Sequence, residues 1–294
     1  MEVIADYQDL CGECPVWDPH SATLYWTDNS SNRLYRYRPA TGVHEIVSDQ
    51  FQVCGFRLNA GGGFTLINHA GVWRWDGAGE PRLIASEVDG HKLRLNDCGA
   101  DAAGRLLAGS NFYDPAAEYE RAKLFSVGTD GRVTILDEGF ELSNGIAFSL
   151  DSRTLYFTDS TARRIYAYDY DLATGAARNR RVLVAVPNDE GVPDGLTVDA
   201  EGYLWSAQWY GSCVVRYDPD GKVERRIQTP AKQTSCACFG GEDLGDLYIT
   251  TASFSEPMPV MPPGYDPVNG LFGGALYRTR PGVRGLPASE TRLA

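Results

Sequence analysis

Residues 145–175 read GIAFSLDSRTLYFTDSTARRIYAYDYDLATG, and this stretch holds the pattern that decides the fold. An apolar alternation is followed by a turn, then by the aromatic-rich run TLYFTD, and then by a second turn and another strand-like run. Short alternating runs bounded by turn-forming residues are typical of β-strands. The same phrase recurs as PVWDPHSATLYWTDNSSNRLYRYRPATG at residues 15–42 and as GLTVDAEGYLWSAQWYGSCVVRYDPDGKV at residues 195–223.

Three weaker copies of the phrase fill the rest of the chain. They begin near Phe56, Cys98 and Cys236, so six copies divide the sequence into units of about 40 to 50 residues. Short strands at that period predict propeller blades of four strands each, because helical repeats would show a different periodicity. We therefore predict an all-β, six-bladed β-propeller that spans residues 1–294 as a single domain. Pairing of the N-terminal EVIADY with the C-terminal ETRLA would close the ring and leave no open edge.

Composition and charge exclude several classes of partner. The chain has 294 residues with 39 acidic and 27 basic side chains, and its net charge of −12 repels nucleic acid and anionic membrane surfaces. The first ten residues, MEVIADYQDL, lack the basic and apolar regions of a signal peptide. The seven cysteines show no regular spacing. We expect a cytoplasmic protein with reduced thiols and a small-molecule partner, and the sequence leaves the oligomeric state open.

The first strand of each propeller blade lines the central channel, so residues at the same place in each repeat form a ring at one height. Counting back five residues from the first turn finds a side-chain oxygen in four of the six copies: Glu13, Asn96, Asn144 and Asp194. Two carboxylates and two amides at the axis would be costly to bury unless a cation lay between them. Oxygen donors favour a hard divalent ion such as Ca²⁺, Mg²⁺ or Mn²⁺. The alternative is that these side chains only hydrogen-bond the backbone at strand ends.

Short motifs around these positions resemble those of the regucalcin, gluconolactonase and senescence-marker-protein family, and the resemblance spans the whole chain. The motifs are GECPVW at 12–17, RLND at 94–97, SNGIAF at 143–148, PDG at 193–195, TSC at 234–236 and FGG at 239–241. The resemblance implies a six-bladed lactonase with one divalent metal ion in the channel, held by Glu13, Asn144 and Asp194. It also implies that Arg94 and Asn96 contact the substrate and that Asp194 acts as the base.

Two cysteines depart from the family pattern. Cys14 stands where the family usually has glycine, and Cys98 follows Asn96-Asp97 where the family commonly has NDG. Both changes add a thiol near the expected channel, so a softer ion such as Fe²⁺ or Zn²⁺ stays open beside Ca²⁺, Mg²⁺ and Mn²⁺.

The longer connections between strands are expected to wall a pocket of sugar size. Within them we predict that Glu118 and Gln208 contact substrate hydroxyls, the alternative being that these are solvated loops. The sequence thus predicts metal-dependent hydrolysis of an aldonolactone to the aldonic acid in carbohydrate catabolism. Two other readings remain: a metal-dependent hydrolase of another ester or a phosphotriester, and a metal-binding propeller without catalytic activity.

Overall fold

The computed structural model describes residues 1–111, 121–254, 258 and 260–294, and these form the six-bladed β-propeller that the repeat predicts. Each blade is a sheet of four antiparallel strands. The first strands of neighbouring blades contact one another around the ring, so they line the central channel. The described part of the chain contains no helix with the length and apolarity needed to cross a membrane.

The strands are numbered in chain order, and a two-stranded hairpin separates the second blade from the third. They are β1 (Glu2–Asp6); β2 (Gly12–Asp18), β3 (Thr23–Asp28), β4 (Arg33–Arg38) and β5 (Val43–Ser48) in blade one; β6 (Gly55–Leu58), β7 (Phe64–Asn68), β8 (Gly71–Trp75) and β9 (Arg82–Ala85) in blade two; the hairpin β10 (Glu87–Val88) and β11 (His91–Lys92); β12 (Leu95–Ala100), β13 (Leu106–Ser110), β14 (Ala122–Val127) and β15 (Val133–Phe140) in blade three; β16 (Ser143–Phe148), β17 (Thr154–Asp159), β18 (Arg164–Asp171) and β19 (Ala176–Ala185) in blade four; β20 (Val192–Val198), β21 (Leu204–Trp209), β22 (Cys213–Tyr217) and β23 (Val223–Gln228) in blade five; and β24 (Thr234–Gly240), β25 (Asp246–Thr251) and β26 (Ala275–Thr279), which form blade six with β1.

Apolar side chains pack between neighbouring blades, which explains why the central strands are apolar along their whole length. In β17, Leu155 and Phe157 pack towards blade three, whereas Tyr156 between them packs towards blade five. Successive residues of a strand point to opposite faces, so a strand with a blade on each side buries both sets. The aromatic-rich run of the repeat therefore supplies the side chains that pack between blades.

The ring closes as predicted by pairing of the first strand with the last, but the partner segment is not ETRLA. β1 pairs antiparallel with β26, with Glu2 opposite Arg278. ETRLA at 290–294 lies against blade two instead, where Thr291 forms a bridge with Asn59 and the Leu293 side chain is 3 % exposed among apolar residues of blades two and three. That prediction was wrong because a short segment of strand-forming residues does not specify its partner.

The first strands of five blades carry a β-bulge near the same end of the channel. The breaks in register come directly after Glu13, Leu95, Asn144, Pro193 and Thr234. A bulge leaves residues without a partner on the neighbouring strand and changes the direction in which their side chains point. Each of the four side chains selected from the repeat therefore lies in or beside a bulge.

Gly145 follows Asn144 at one of these bulges, and its lack of a side chain lets two first strands approach closely. A Cβ atom at Gly145 would lie 2.6 Å from the Leu196 backbone nitrogen and 2.7 Å from the Asp194 carbonyl oxygen. Backbone atoms at those distances have to move apart to admit a methyl group. The glycine is therefore needed to keep the strand of Asn144 against the strand of Asp194.

Replacing Gly145 with alanine is expected to lower the free energy of unfolding by about 1–3 kcal/mol, the usual cost of forcing an extra carbon into a packed interior. Urea unfolding of the metal-free chain measures it. Gly61→Ala is the control, because its new Cβ would meet only the Asn59 side-chain amide, at 3.2 Å, and the change is expected to stay within about 0.5 kcal/mol. Equal stability of the two variants would contradict the close approach of the two strands.

Candidate metal centre

Four of the predicted side chains come together at one end of the channel. Glu13, Asn96, Asn144 and Asp194 line one cavity of about 130 Å³. They come from the first strands of blades one, three, four and five, so residues far apart in sequence meet through closure of the ring. The four residues occupy the same position in their repeats, and the fold brings them to the same part of the channel.

The two carboxylates in this cavity, of which Asp194 is buried and Glu13 is half-buried, have no positive partner among the described residues. Asp194 is 5 % exposed, and among the described residues no basic side chain forms an ion pair with it or with Glu13. Burial raises the pKa of both carboxyl groups well above the ordinary values, and the negative charge of Asp97 adds to the rise in each. Asp194 raises the pKa of Glu13 further. The arrangement is electrostatically incomplete and favours either protons or a cation.

The amides in the same cavity are held by a hydrogen-bond network. Asn96 Nδ2 donates to the Ser143 carbonyl oxygen at 2.9 Å and to Asn144 Oδ1 at 2.8 Å. Asn144 Nδ2 donates to Ser160 Oγ at 2.8 Å, and Ser160 Oγ donates to the Pro193 carbonyl oxygen at 2.7 Å. The side-chain oxygen Oδ1 of Asn144 therefore faces away from Ser160, where it is available as a ligand.

These donors suit a hard divalent cation. In the described ranges no three His, Cys, Asp or Glu side chains converge as a metal cluster. The oxygen donors that line this cavity and could hold a cation are the two carboxylates and the Asn144 amide oxygen. Cys11 also lines the cavity, but burial and the charges of Glu13 and Asp194 raise the pKa of its thiol well above the ordinary value. The oxygen set therefore favours Ca²⁺, Mg²⁺ or Mn²⁺ over softer ions.

The raised carboxyl pKa values predict that cation binding weakens as the pH falls. Glu13 and Asp194 retain protons at a higher pH than ordinary carboxyl groups, and both have to lose them to bind a cation. We expect the affinity for Mn²⁺ to be at least about tenfold lower at pH 5.5 than at pH 8, with proton release on binding. Calorimetric titrations in two buffers of different ionisation enthalpy measure both effects. An affinity that does not change over this range would contradict the arrangement.

Arg94 and Gln208 lie outside the lining of this cavity. The Arg94 side chain is exposed. Burial raises the pKa of Cys54 to about 12 against the opposing charge of Arg94, and burial together with that charge lowers the pKa of His69. Gln208 is 2 % exposed, donates from Nε2 to Ser206 Oγ at 3.0 Å, and lines a separate cavity together with Tyr265. Glu118 falls outside the described residues. Contact of these three side chains with a substrate stays a prediction.

Cys11, Ser160 and Trp209 are among the lining residues that were not selected as site residues from the sequence. Ser160 follows the second strand of blade four, and the pairing of Ser143 with Asp159 brings that strand end beside Asn144. Trp209 neighbours Gln208 on β21, and its indole N–H has no acceptor among the described residues. An antiparallel hairpin always brings the start of one strand to the end of the next, and this was the signal available for both.

A second cavity, of about 240 Å³, lies further along the channel and contains Cys14, Arg57 and Asp97. The Arg57 guanidinium donates to the Phe56 carbonyl oxygen at 2.8 Å, to Cys14 Sγ at 3.2 Å and to the Cys98 carbonyl oxygen. Burial raises the pKa of Asp97, and the positive charge of Arg57 opposes that rise. The thiols of Cys14 and Cys98, expected near the metal, do not line the cavity of Glu13 and Asp194.

Comparisons with known proteins show similarity over most of the chain. The family model described as SMP-30/Gluconolactonase/LRE-like region matches residues 11–253. Pentonolactonase XacC of Haloferax volcanii is 38% identical over 292 residues, which cover 99% of this chain and 98% of that protein. Regucalcin of Xenopus laevis is 36% identical over 258 residues, or 86% of each chain. A solved structure of a calcium-binding protein, regucalcin, from Agrobacterium tumefaciens superposes with a TM-score of 0.85 at 28% identity, covering 99% of this chain and 97% of that one.

The matched region includes all four side chains of the candidate metal centre. The resemblance inferred from the short motifs is confirmed, as is the propeller fold that it implied. The chain belongs to the SMP-30/gluconolactonase/LRE-like family.

Proposed function

We propose that this protein hydrolyses a sugar lactone to the aldonic acid in carbohydrate catabolism, using one divalent cation held by Glu13, Asn144 and Asp194. The observation that supports it most is that a buried and a half-buried carboxylate, without a positive partner among the described residues, line one cavity with an oriented amide oxygen. Relatives named pentonolactonase and regucalcin, the latter described as calcium-binding in one solved structure, support the same substrate class and a cation.

We assign a separate role in hydrolysis to the cation, to Asp194 and to Trp209. When bound, a divalent cation would polarise the lactone carbonyl group and stabilise negative charge on its oxygen. Asp194 would accept the proton of the attacking water. Trp209, which lines the cavity, would limit access of bulk water to the reacting atoms.

The lactone ring would be oriented by polar groups that the protein leaves uncommitted. Asn96 uses its Nδ2 group on Ser143 and Asn144, so its Oδ1 atom can accept a hydrogen bond from a substrate hydroxyl. The indole N–H of Trp209 would donate to a substrate oxygen. We propose that Arg94, Glu118 and Gln208 contribute further contacts from the surrounding segments.

A titration of acid release from a panel of pentono- and hexonolactones tests this function. We expect turnover of at least one aldonolactone, with loss of activity on chelation and recovery when a single divalent metal is restored. Aryl esters and a phosphotriester belong in the panel, because turnover of these alone would assign a different hydrolase. Absence of turnover with every substrate and metal would leave a metal-binding propeller and overturn the proposal.

A further inference from the structure

Asn144 is the one proposed ligand whose side chain ends in both an acceptor oxygen and a donor NH₂ group, so the orientation of its amide determines whether it can bind a cation. The Oδ1 and Nδ2 ends of an asparagine amide are nearly equal in size, but only the oxygen can bind a cation. A rotation of half a turn would present an NH₂ group to the cation instead. The protein therefore needs a device that sets the amide in one direction, and the cavity wall contains one.

Ser160 can act only as an acceptor towards Asn144. Its Oγ–H donates to the Pro193 carbonyl oxygen at 2.7 Å, and this commits the single hydroxyl hydrogen to a group that cannot donate. The Ser160 oxygen therefore has only lone pairs to offer to Asn144, and it receives Asn144 Nδ2 at 2.8 Å. Ser160 is 2 % exposed, so water cannot readily replace either partner.

A second backbone carbonyl constrains the other side of the same amide. Asn96 Nδ2 donates to the Ser143 carbonyl oxygen at 2.9 Å, which sets the direction of the Asn96 amide. The same NH₂ group then donates to Asn144 Oδ1 at 2.8 Å. The backbone carbonyl oxygens of Pro193 and Ser143 thus determine the direction of the hydrogen bonds in this network.

We propose that Ser160 is a positioning residue for the cation site, which orients the Asn144 oxygen towards the carboxylates of Glu13 and Asp194. It also links the turn after β17 in blade four to the residue directly before Asp194 in blade five. The inference rests on the proposed cation site. Ser160 is not one of the proposed ligands, and it acts through Asn144 and through the Pro193 backbone.

The test is calorimetric titration of the metal-free full chain with Mn²⁺ alone. Ser160→Ala is expected to weaken Mn²⁺ binding by about 10- to 100-fold, the usual cost of losing a group that orients a metal ligand. Ser160→Thr retains the hydroxyl and is expected to restore binding to within about threefold of wild type. Ser160→Cys, which keeps a side chain of similar size with weaker hydrogen bonds, is expected to lie between the two and serves if the alanine variant does not fold.

Thr158→Val is the matched control in the same blade. Thr158 lies opposite Asn144 in the sheet, and its buried Oγ1 atom has no hydrogen-bond partner among the described residues. Removing that hydroxyl is expected to leave Mn²⁺ affinity unchanged within about twofold, because no bond is lost. The melting temperature of each metal-free variant separates loss of folding from loss of affinity.

The two ways of failing are distinct. If wild-type chain binds no Mn²⁺, the proposed function itself fails. If wild type binds Mn²⁺ and folded Ser160→Ala binds it equally well, the positioning role of Ser160 is overturned while the cation site stands. Equal losses in the alanine and threonine variants would also overturn it, since the hydroxyl would then not be the group that matters.

Discussion

An Asp194→Asn variant is expected to turn over its aldonolactone on the order of a thousandfold more slowly than the wild-type chain, measured as kcat at saturating metal. The substitution keeps the shape and one oxygen of the side chain, so a cation can still be held with reduced affinity. It removes the group that accepts the proton of water, and it removes one of two negative charges. The effect should therefore fall on kcat even after the weaker metal binding has been saturated.

Asp218→Asn provides the matched control in the same blade. The Asp218 carboxylate accepts hydrogen bonds from the backbone of Asp220 and Lys222 in an exposed turn. Asp218 does not line the cavity of Glu13 and Asp194. Its kcat and KM are expected to equal those of wild type. Full activity in Asp194→Asn would show that another group is the base.

Removing the cation is the second change with a large expected effect. Chelation followed by dialysis should reduce lactone hydrolysis below about one thousandth of the initial rate, because a bound divalent ion commonly supplies several kcal/mol of transition-state stabilisation. Adding back Ca²⁺, Mg²⁺ or Mn²⁺ singly should restore activity, since the protein offers oxygen ligands.

A Glu13→Gln variant also tests whether lactone hydrolysis depends on the cation. It halves the negative charge available to the cation without removing the proposed base, so activity should return at high metal concentration with the metal dependence shifted upward. Elemental analysis confirms that the chelated protein is metal-free. Undiminished turnover by a sample with no detectable metal would contradict the proposed mechanism.

The blades and the position of the site could be predicted from sequence because both depend on the repeat. Once the pattern around Leu155 is recognised in the other copies, ring closure places equal positions of the repeat together, and Glu13, Asn96, Asn144 and Asp194 follow. The ends of the ring could not be predicted in this way. The segment around Thr291 has strand-forming residues, but its partner depends on Asn59, which no repeat relates to it.

The finer parts of the site depend on geometry that the repeat does not encode. Successive residues of a strand face opposite sides, so a shift of one position separates Gln208, in its own cavity, from Trp209 in the wall of the metal centre. Ser160 comes from a turn rather than from a first strand, and a count of first-strand positions cannot find it. The bulge after Asn144 likewise depends on the close approach at Gly145, which is a tertiary contact.

Anomalous diffraction from crystals soaked in Mn²⁺ measures the central feature of the molecule directly. We expect one strong peak at the end of the channel, about 2.0–2.6 Å from carboxylate oxygens of Glu13 and Asp194 and from Oδ1 of Asn144. A peak that contacts none of these atoms, or a channel without a peak in crystals that are saturated with metal, would contradict it.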